Sequence, residues 1–134
     1  MAFSGPIEDQ LAIRSMHEGY ADAVFRGDAD QWGSNWADDG RWHLMGTVVE
    51  GRNAIVSLWN GAMGGFSFVA FFSQVGEIEI DGDTAKGRVF THEVLEDANG
   101  TIRRPVGRYD DSYVKRDGRW YYQERVYTML KDIP

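Results

Sequence analysis

GRYDDSYVKRDGRWYYQER, residues 107–125, reads as two β-strands joined at Asp117-Gly118. An Asp-Gly pair between runs of aromatic and β-branched residues is the strongest short hairpin signal, since both turn positions call for positive φ. Side chains alternate across a strand, so Tyr109, Asp111 and Tyr113 share one face while Arg108, Asp110 and Ser112 share the other. The same grammar recurs upstream. FSFVAFFSQVGEIEI (66–80) runs into the turn DGD, TAKGRVFTHEVLE (84–96) into DANG, and TIRRPVGRYDDSYVKR (101–116) into DG, after which RWYYQERVYTML (119–130) closes the series. Four strands joined by three such turns predict an antiparallel meander.

Ahead of the meander the period changes from two to that of a helix. In SGPIEDQLAIRSMHEGYADAVFRG, Leu11, Met16 or His17, Tyr20, Val24 and Phe25 recur at helical spacing. Ser4 is positioned to cap this helix, Pro6 suits its first turn, Glu8 and Asp9 favour its positive end, and Gly27 stops it. Asp28 reads as the cap of a short second helix near Asp30 to Trp36. GRWHLMGTVVEG reads as a strand or hairpin broken at Gly46, and RNAIVSLWNGAM as a third helix with Ile55, Leu58 and Trp59 on one face. Helices first and strands after imply an α+β fold, with N-terminal helices packed in a curved, mostly antiparallel sheet.

The chain has 134 residues, which suits one domain spanning 1–134 with a real core. A hydrophobic fraction of 43% with a net charge of −7 excludes a disordered composition. The same negative charge argues against nucleic acid: the basic cluster Arg103, Arg104 and Arg108 is followed at once by Asp110 and Asp111. No stretch is apolar enough for a membrane span. The opening MAFSGPIEDQ has neither the basic nor the apolar region of a signal peptide, so a cytoplasmic protein is expected. Without cysteine there is no disulfide, thiolate nucleophile or cysteine metal site.

Four stretches in this order, YADAVFRGD, WADDGRW, IEIDGDTAKG and GRYDDSYVKRDGRWYYQER, resemble the nuclear transport factor 2-like superfamily, and within it the SnoaL-like group. That group includes relatives of scytalone dehydratase, of ketosteroid isomerase and of the small subunits of ring-hydroxylating dioxygenases. The resemblance spans nearly the whole chain. It implies a cystatin-like α+β barrel, in which the sheet wraps the first helix and leaves a cone-shaped pocket. It also implies an Asp near the end of the first helix, paired with a His on the strand after the third. Matching AVFRGD and FVAFFSQV to that pattern places Phe25 at the acid and Ala70, or a phenylalanine beside it, at the histidine. Both members of the pair are absent, which removes the Asp–His mechanism.

The remaining chemistry has to come from elsewhere. His17, His43 and His92 show no metal-ligand spacing, so no metal and no organic cofactor are expected. His17 looks either into the pocket mouth or to the surface. His43 faces away from Trp42, which the resemblance makes pocket-lining. On the strand RVFTHEVLE, either His92 or the Thr91/Glu93 pair lines the concave face. Asp111 is either a desolvated proton-transfer group or the partner of an arginine such as Arg125 across the sheet. Phe66, Phe68, Ala70 and Phe72 alternate with Ser67, Val69, Phe71 and Ser73.

From these residues a cofactor-free lyase, isomerase or cyclase acting on an apolar, even aromatic or polycyclic, substrate is expected. Asp111 or His92 serves as base, and Tyr109, Tyr20 or both donate hydrogen bonds to a developing oxyanion. Val24, Phe25, Trp42, Leu44, Trp59, Phe68 and Phe72 are the expected substrate-binding walls. A non-catalytic small-molecule binding protein with the same pocket, or an assembly module like the dioxygenase small subunit, are the alternatives. The expected partners are a small apolar ligand and a second or further copy of the chain.

Overall fold

The computed structural model describes residues 3–134; Met1 and Ala2, part of the opening stretch discussed above, lie outside them. The elements in chain order are β1 (Phe3–Ser4), α1 (Ile7–Arg26), α2 (Ala29–Ser34), β2 (Trp36–Leu44), β3 (Thr47–Glu50), α3 (Arg52–Met63), β4 (Phe66–Asp81), β5 (Thr84–Asp97), β6 (Ile102–Arg116) and β7 (Arg119–Ile133). All seven strands join one curved sheet in the order β1-β4-β5-β6-β7-β2-β3. The meander β4 to β7 is antiparallel throughout. β2 then pairs parallel with β7, bringing Trp42 beside Arg125. The helices fill the concave side, and the fold is the cone of the nuclear transport factor 2-like proteins.

Local chemistry accounts for the boundaries. Asp117 and Gly118 both take positive φ, 51° and 78°, which twists the β6–β7 hairpin tightly enough to need only two turn residues. Gly27 ends α1 in the left-handed conformation and returns its N–H to Ala23 and Val24. Asp28 caps α2 by accepting from the Gln31 N–H at 3.0 Å. Two boundary expectations are corrected. Ser4 does not cap α1, whose N-cap is Pro6; Ser4 instead lies in β1, paired with Glu79. α2 ends at Ser34, and Trp36 opens β2 because its backbone continues into pairing with Tyr122.

α1 buries Ile13, Met16, His17, Tyr20, Ala23 and Val24, a stripe spaced by three and four residues. Leu11 and Phe25 fall off that stripe and stay exposed, as does Leu58 on α3. The core is unusually aromatic: Trp32 stacks on Trp59, with ring centroids 4.6 Å apart and planes within 13°. Trp36 and Trp42 complete this wall.

Candidate active site

Which residues reach the concave side is decided by β4 and β5. Phe71 points inward, its ring 5.6 Å from that of Tyr20 on α1. Phe71 pairs with Glu93, and Ser73 with Thr91, so Thr91 and Glu93 share the inner face. Their neighbours take the other side. Phe68, Phe72 and His92 are exposed on the outer face. The expectation that Phe25, Phe68 and Phe72 wall a cavity is therefore corrected, and so is the role of His92 as an internal base. β1 pairs only with Ile78 and Glu79, which leaves the middle of β4 as the sheet edge. Around that edge the Phe25 ring meets Phe72 at 5.4 Å. Phe25 and Ala70 hold the two positions where relatives were expected to carry an acid and a histidine, and Ala70 is buried.

A recess of about 190 Å³ opens on the inner face between β5, β6, β7 and the tip of the β2–β3 hairpin. β5 contributes Glu93 and Leu95 to its lining, β6 Arg103, Pro105 and Tyr109, β7 Tyr127 and Met129, and the β2–β3 hairpin Leu44 and Met45. Glu93 is the one carboxyl in this lining. Among the described residues no cation pairs with it and no hydrogen bond reaches its carboxyl; Arg103, the nearby cation, is held by Asp132 at 2.8 Å. Burial alone therefore pushes the Glu93 pKa up to about 7. Burial likewise raises the Tyr127 phenol to about 12 and holds Tyr109 well above its ordinary value; the Glu93 charge adds to both.

A second ionisable cluster lies deeper in the cone, and every member is buried. Arg125 donates Nε to Asp111 Oδ1 at 2.7 Å and Nη2 to Oδ2 at 3.1 Å. The guanidinium sits in an aromatic cage, 3.7 Å from the Tyr109 ring centroid, 4.3 Å from Tyr122 and 4.9 Å from Tyr20. Its Nη1 has no acceptor in hydrogen-bonding geometry, although its charge counters the effect of burial on the Tyr20 phenol. The Tyr113 hydroxyl donates to Asp111 Oδ2 at 3.1 Å and lies 2.6 Å from His17 Nε2. A hydroxyl has one proton, so His17 Nε2–H donates to Tyr113, and His17 Nδ1 accepts from the Tyr122 hydroxyl at 2.7 Å. Burial, reinforced by the charges of Arg125 and Arg14, holds the His17 pKa well below its usual value, so the ring is neutral. Burial raises the Asp111 pKa, with the Arg125 charge and hydrogen bonds pulling the other way.

Of the two alternatives for Asp111, the structure selects the arginine pair. Tyr109 lines the recess and accepts from Trp42 Nε1 at 3.1 Å, whereas Tyr20 is buried among Arg125, Trp32 and Phe71. Val24, Trp42 and Trp59 belong to the closed core, and Leu44 reaches the recess. His43 pairs with Glu124 on the outer side, at 2.7 Å. Glu93, His17 and Tyr127 were not among the site residues expected from the sequence, where Glu93 figured only as part of the alternative to His92 on β5. His17 continues the Ile13–Tyr20 stripe, and Tyr127 shares strand parity with Arg125, so both signals were present in the spacing. A wider groove of about 560 Å³ lies along Glu79, Asp81 and Lys86, whose side chains are exposed; Tyr113 also lines it, but its hydroxyl is engaged by Asp111 and His17. Among the described residues no three His, Cys, Asp or Glu side chains gather as a metal site.

The model of the SnoaL-like domain matches residues 6–126. This chain belongs to the SnoaL-like domain family. A candidate scytalone dehydratase from Novosphingobium aromaticivorans DSM 12444 superposes with a TM-score of 0.87 at 17% identity, covering 94% of this chain and 87% of its own. The LinA-type3 hexachlorocyclohexane dehydrochlorinase of Novosphingobium barchaimii LL02 superposes at 0.86 with 17% identity, covering 96% and 90%. A single-residue variant of Rv3472 from Mycobacterium tuberculosis, a protein of unknown function, gives 0.85 at 23% identity over 94% and 79%. At these identities the likeness is one of fold. No curated protein matches the chain. No helix among the described residues is long and apolar enough to cross a membrane.

Proposed function

We propose that this SnoaL-like protein is a small-molecule isomerase or lyase whose proton-transfer group is Glu93. The observation that carries the reading is a largely desolvated carboxyl, paired with no cation among the described residues, facing a recess whose lining is apolar and phenolic apart from Arg103, which Asp132 holds. With a pKa of about 7, Glu93 has both proton-accepting and proton-donating forms at neutral pH, the condition for efficient general acid–base work. Glu93 takes a proton from the carbon beside a carbonyl, and the electron pair moves onto the carbonyl oxygen. The Tyr127 phenol donates a hydrogen bond to that oxygen. Returning the proton to a different carbon isomerises the substrate; expelling a leaving group from the neighbouring carbon makes the reaction an elimination. A cavity of about 150 Å³ holds benzene, so about 190 Å³ suits a substrate of one ring. The expected polycyclic substrate gives way to a smaller one.

The exposed apolar side chains of the outer face, Phe68, Phe72 and Phe90, support a second element of the reading, a homodimer that covers them.

Cyclohex-3-enone in D2O tests the catalytic reading. The wild-type protein is expected to catalyse deuterium exchange and double-bond migration, at a rate that rises as pH passes through about 7 and Glu93 loses its proton. Glu93→Gln is expected to lose at least a hundredfold, in the range general-base catalysis contributes. Equal rates in the two proteins would remove Glu93 from the mechanism. Binding of the ketone without exchange would make the protein a binder rather than an enzyme.

A further inference from the structure

Tyr127 does not stand up from β7 as a strand side chain ordinarily does. Tyr109, on β6, is its register partner, with ring centroids 5.1 Å apart. The Tyr127 ring leans diagonally from there over Gly107, also on β6. A methyl group built on Gly107 would stand 2.5 Å from Tyr127 Cζ, and closer still to Cε1 and Oη. No side chain can share that space, so the ring lies on bare backbone, where a strand glycine permits close approach. Gly107 in turn pairs with Thr91 on β5. Thr91 Oγ1 is buried without a partner in hydrogen-bonding geometry, yet the Tyr127 phenol is near enough to interact with it. One ring thus spans three strands, from β7 across β6 to β5. A register shift between Val106 and Gly107 marks a bulge at this point of the hairpin.

We propose that Tyr127, leaning over Gly107, sets the depth of the Glu93 recess and so selects ligands of one ring over ligands of two. The ring is part of the recess lining, and it lies between the recess and the backbone of Gly107. Behind it lie Gly107 and the orphaned Thr91 hydroxyl, a space that a shorter side chain would hand to the ligand. The glycine is the permissive element: with a Cβ at 107 the ring has to rise off the sheet. Backbone lies beneath it and Tyr109 beside it, so it rises into the recess and fills it. The inference rests on the reading of this recess as a ligand site, but it makes a claim about the empty protein as well.

The test uses Gly107→Ala, Tyr127→Ala and the double variant, with cyclohex-2-enone and 1-tetralone as one-ring and two-ring probes. Binding is followed by NMR through the methyl signal of Met129, which lines the recess; amide spectra check the fold of each variant. Wild type is expected to bind the one-ring ketone at least tenfold more tightly than the two-ring one. Tyr127→Ala should abolish that preference. Gly107→Ala should weaken cyclohex-2-enone at least tenfold, and the double variant should recover the behaviour of Tyr127→Ala, because the new methyl then meets no ring. Recovery is the decisive outcome, since a variant that merely damages the sheet would not be rescued by a second truncation. The inference is overturned if Gly107→Ala binds like wild type, or if Tyr127→Ala still excludes 1-tetralone. If wild type binds neither ketone, the ligand-site reading fails. The empty Gly107→Ala protein then decides the claim about the ring: a shifted Met129 methyl signal supports it, and an unmoved one overturns it.

Discussion

Asp111 and Glu93 are two carboxyl groups on the inner face of one sheet, on the adjacent strands β6 and β5, and the structure treats them oppositely. Asp111 is clasped by Arg125 through two hydrogen bonds and by the Tyr113 hydroxyl through a third. Among the described residues Glu93 has neither cation nor hydrogen bond, and burial alone raises its pKa to about 7. Both have lost water. The difference lies in what replaced it: a carboxylate whose lone pairs are occupied by fixed donors is structural, whereas one left facing a recess keeps a proton it can exchange near neutrality. An Asp inside a cone is therefore not by itself a site.

Removing the partner is the hardest way to break the comparison. Asp111→Asn leaves the Arg125 charge buried without its counter-ion, which costs about 3–5 kcal/mol for such pairs. Urea unfolding of wild type and variant measures it, and a loss below about 1 kcal/mol would mean that the aromatic cage alone sustains the guanidinium.

Glu93 should behave in the opposite sense. Its folded pKa, about 7, lies above the unfolded value of 4.5, so folding favours the protonated form. The stability it contributes is full below about pH 4.5 and declines as pH rises to about 7, by roughly 3 kcal/mol at most. Glu93→Gln cannot ionise, so it should be more stable than wild type at pH 8 by up to that amount, with the gain disappearing at pH 4. Denaturation curves at the two pH values give the difference directly, and a gain that does not change with pH would deny the shifted carboxyl. The two acids would thus respond to the same acid-to-amide change with opposite signs.

The outer face supplies the smallest effect. Phe72→Ser removes an exposed ring, so the stability of the folded chain should move by no more than about 0.5 kcal/mol. Sedimentation should nevertheless show the homodimer weakened, and unchanged association would separate this face from any interface.

Much of the architecture was readable before any coordinates. The Asp-Gly and Asn-Gly turns placed the meander, Gly27 and Asp28 bounded the first two helices, and strand parity grouped Tyr109 with Asp111 and Tyr113. The site was less legible. FSFVAFF carries large apolar groups on both faces, so its pattern holds no contrast to say which face meets the helix; Phe71 turned inward and Phe68 and Phe72 outward. The choice on β4 propagated through the register to β5 and sent His92 outside and Glu93 inside.

The sequence by itself determined the three helices, the strands of the meander, where they turn, and which side chains travel together on a face, because capping, turn chemistry and alternation act over a few residues. The pairing of Ser4 and of Trp36 into strands came from partners far away in the chain. Only the tertiary structure decided which of two equivalent faces is inward, that β2 lies parallel beside β7, and which carboxyl finds a cation. Alternation is unchanged when the two faces are exchanged. A carboxyl's proton affinity depends on water excluded and charges supplied by strands far away in the chain.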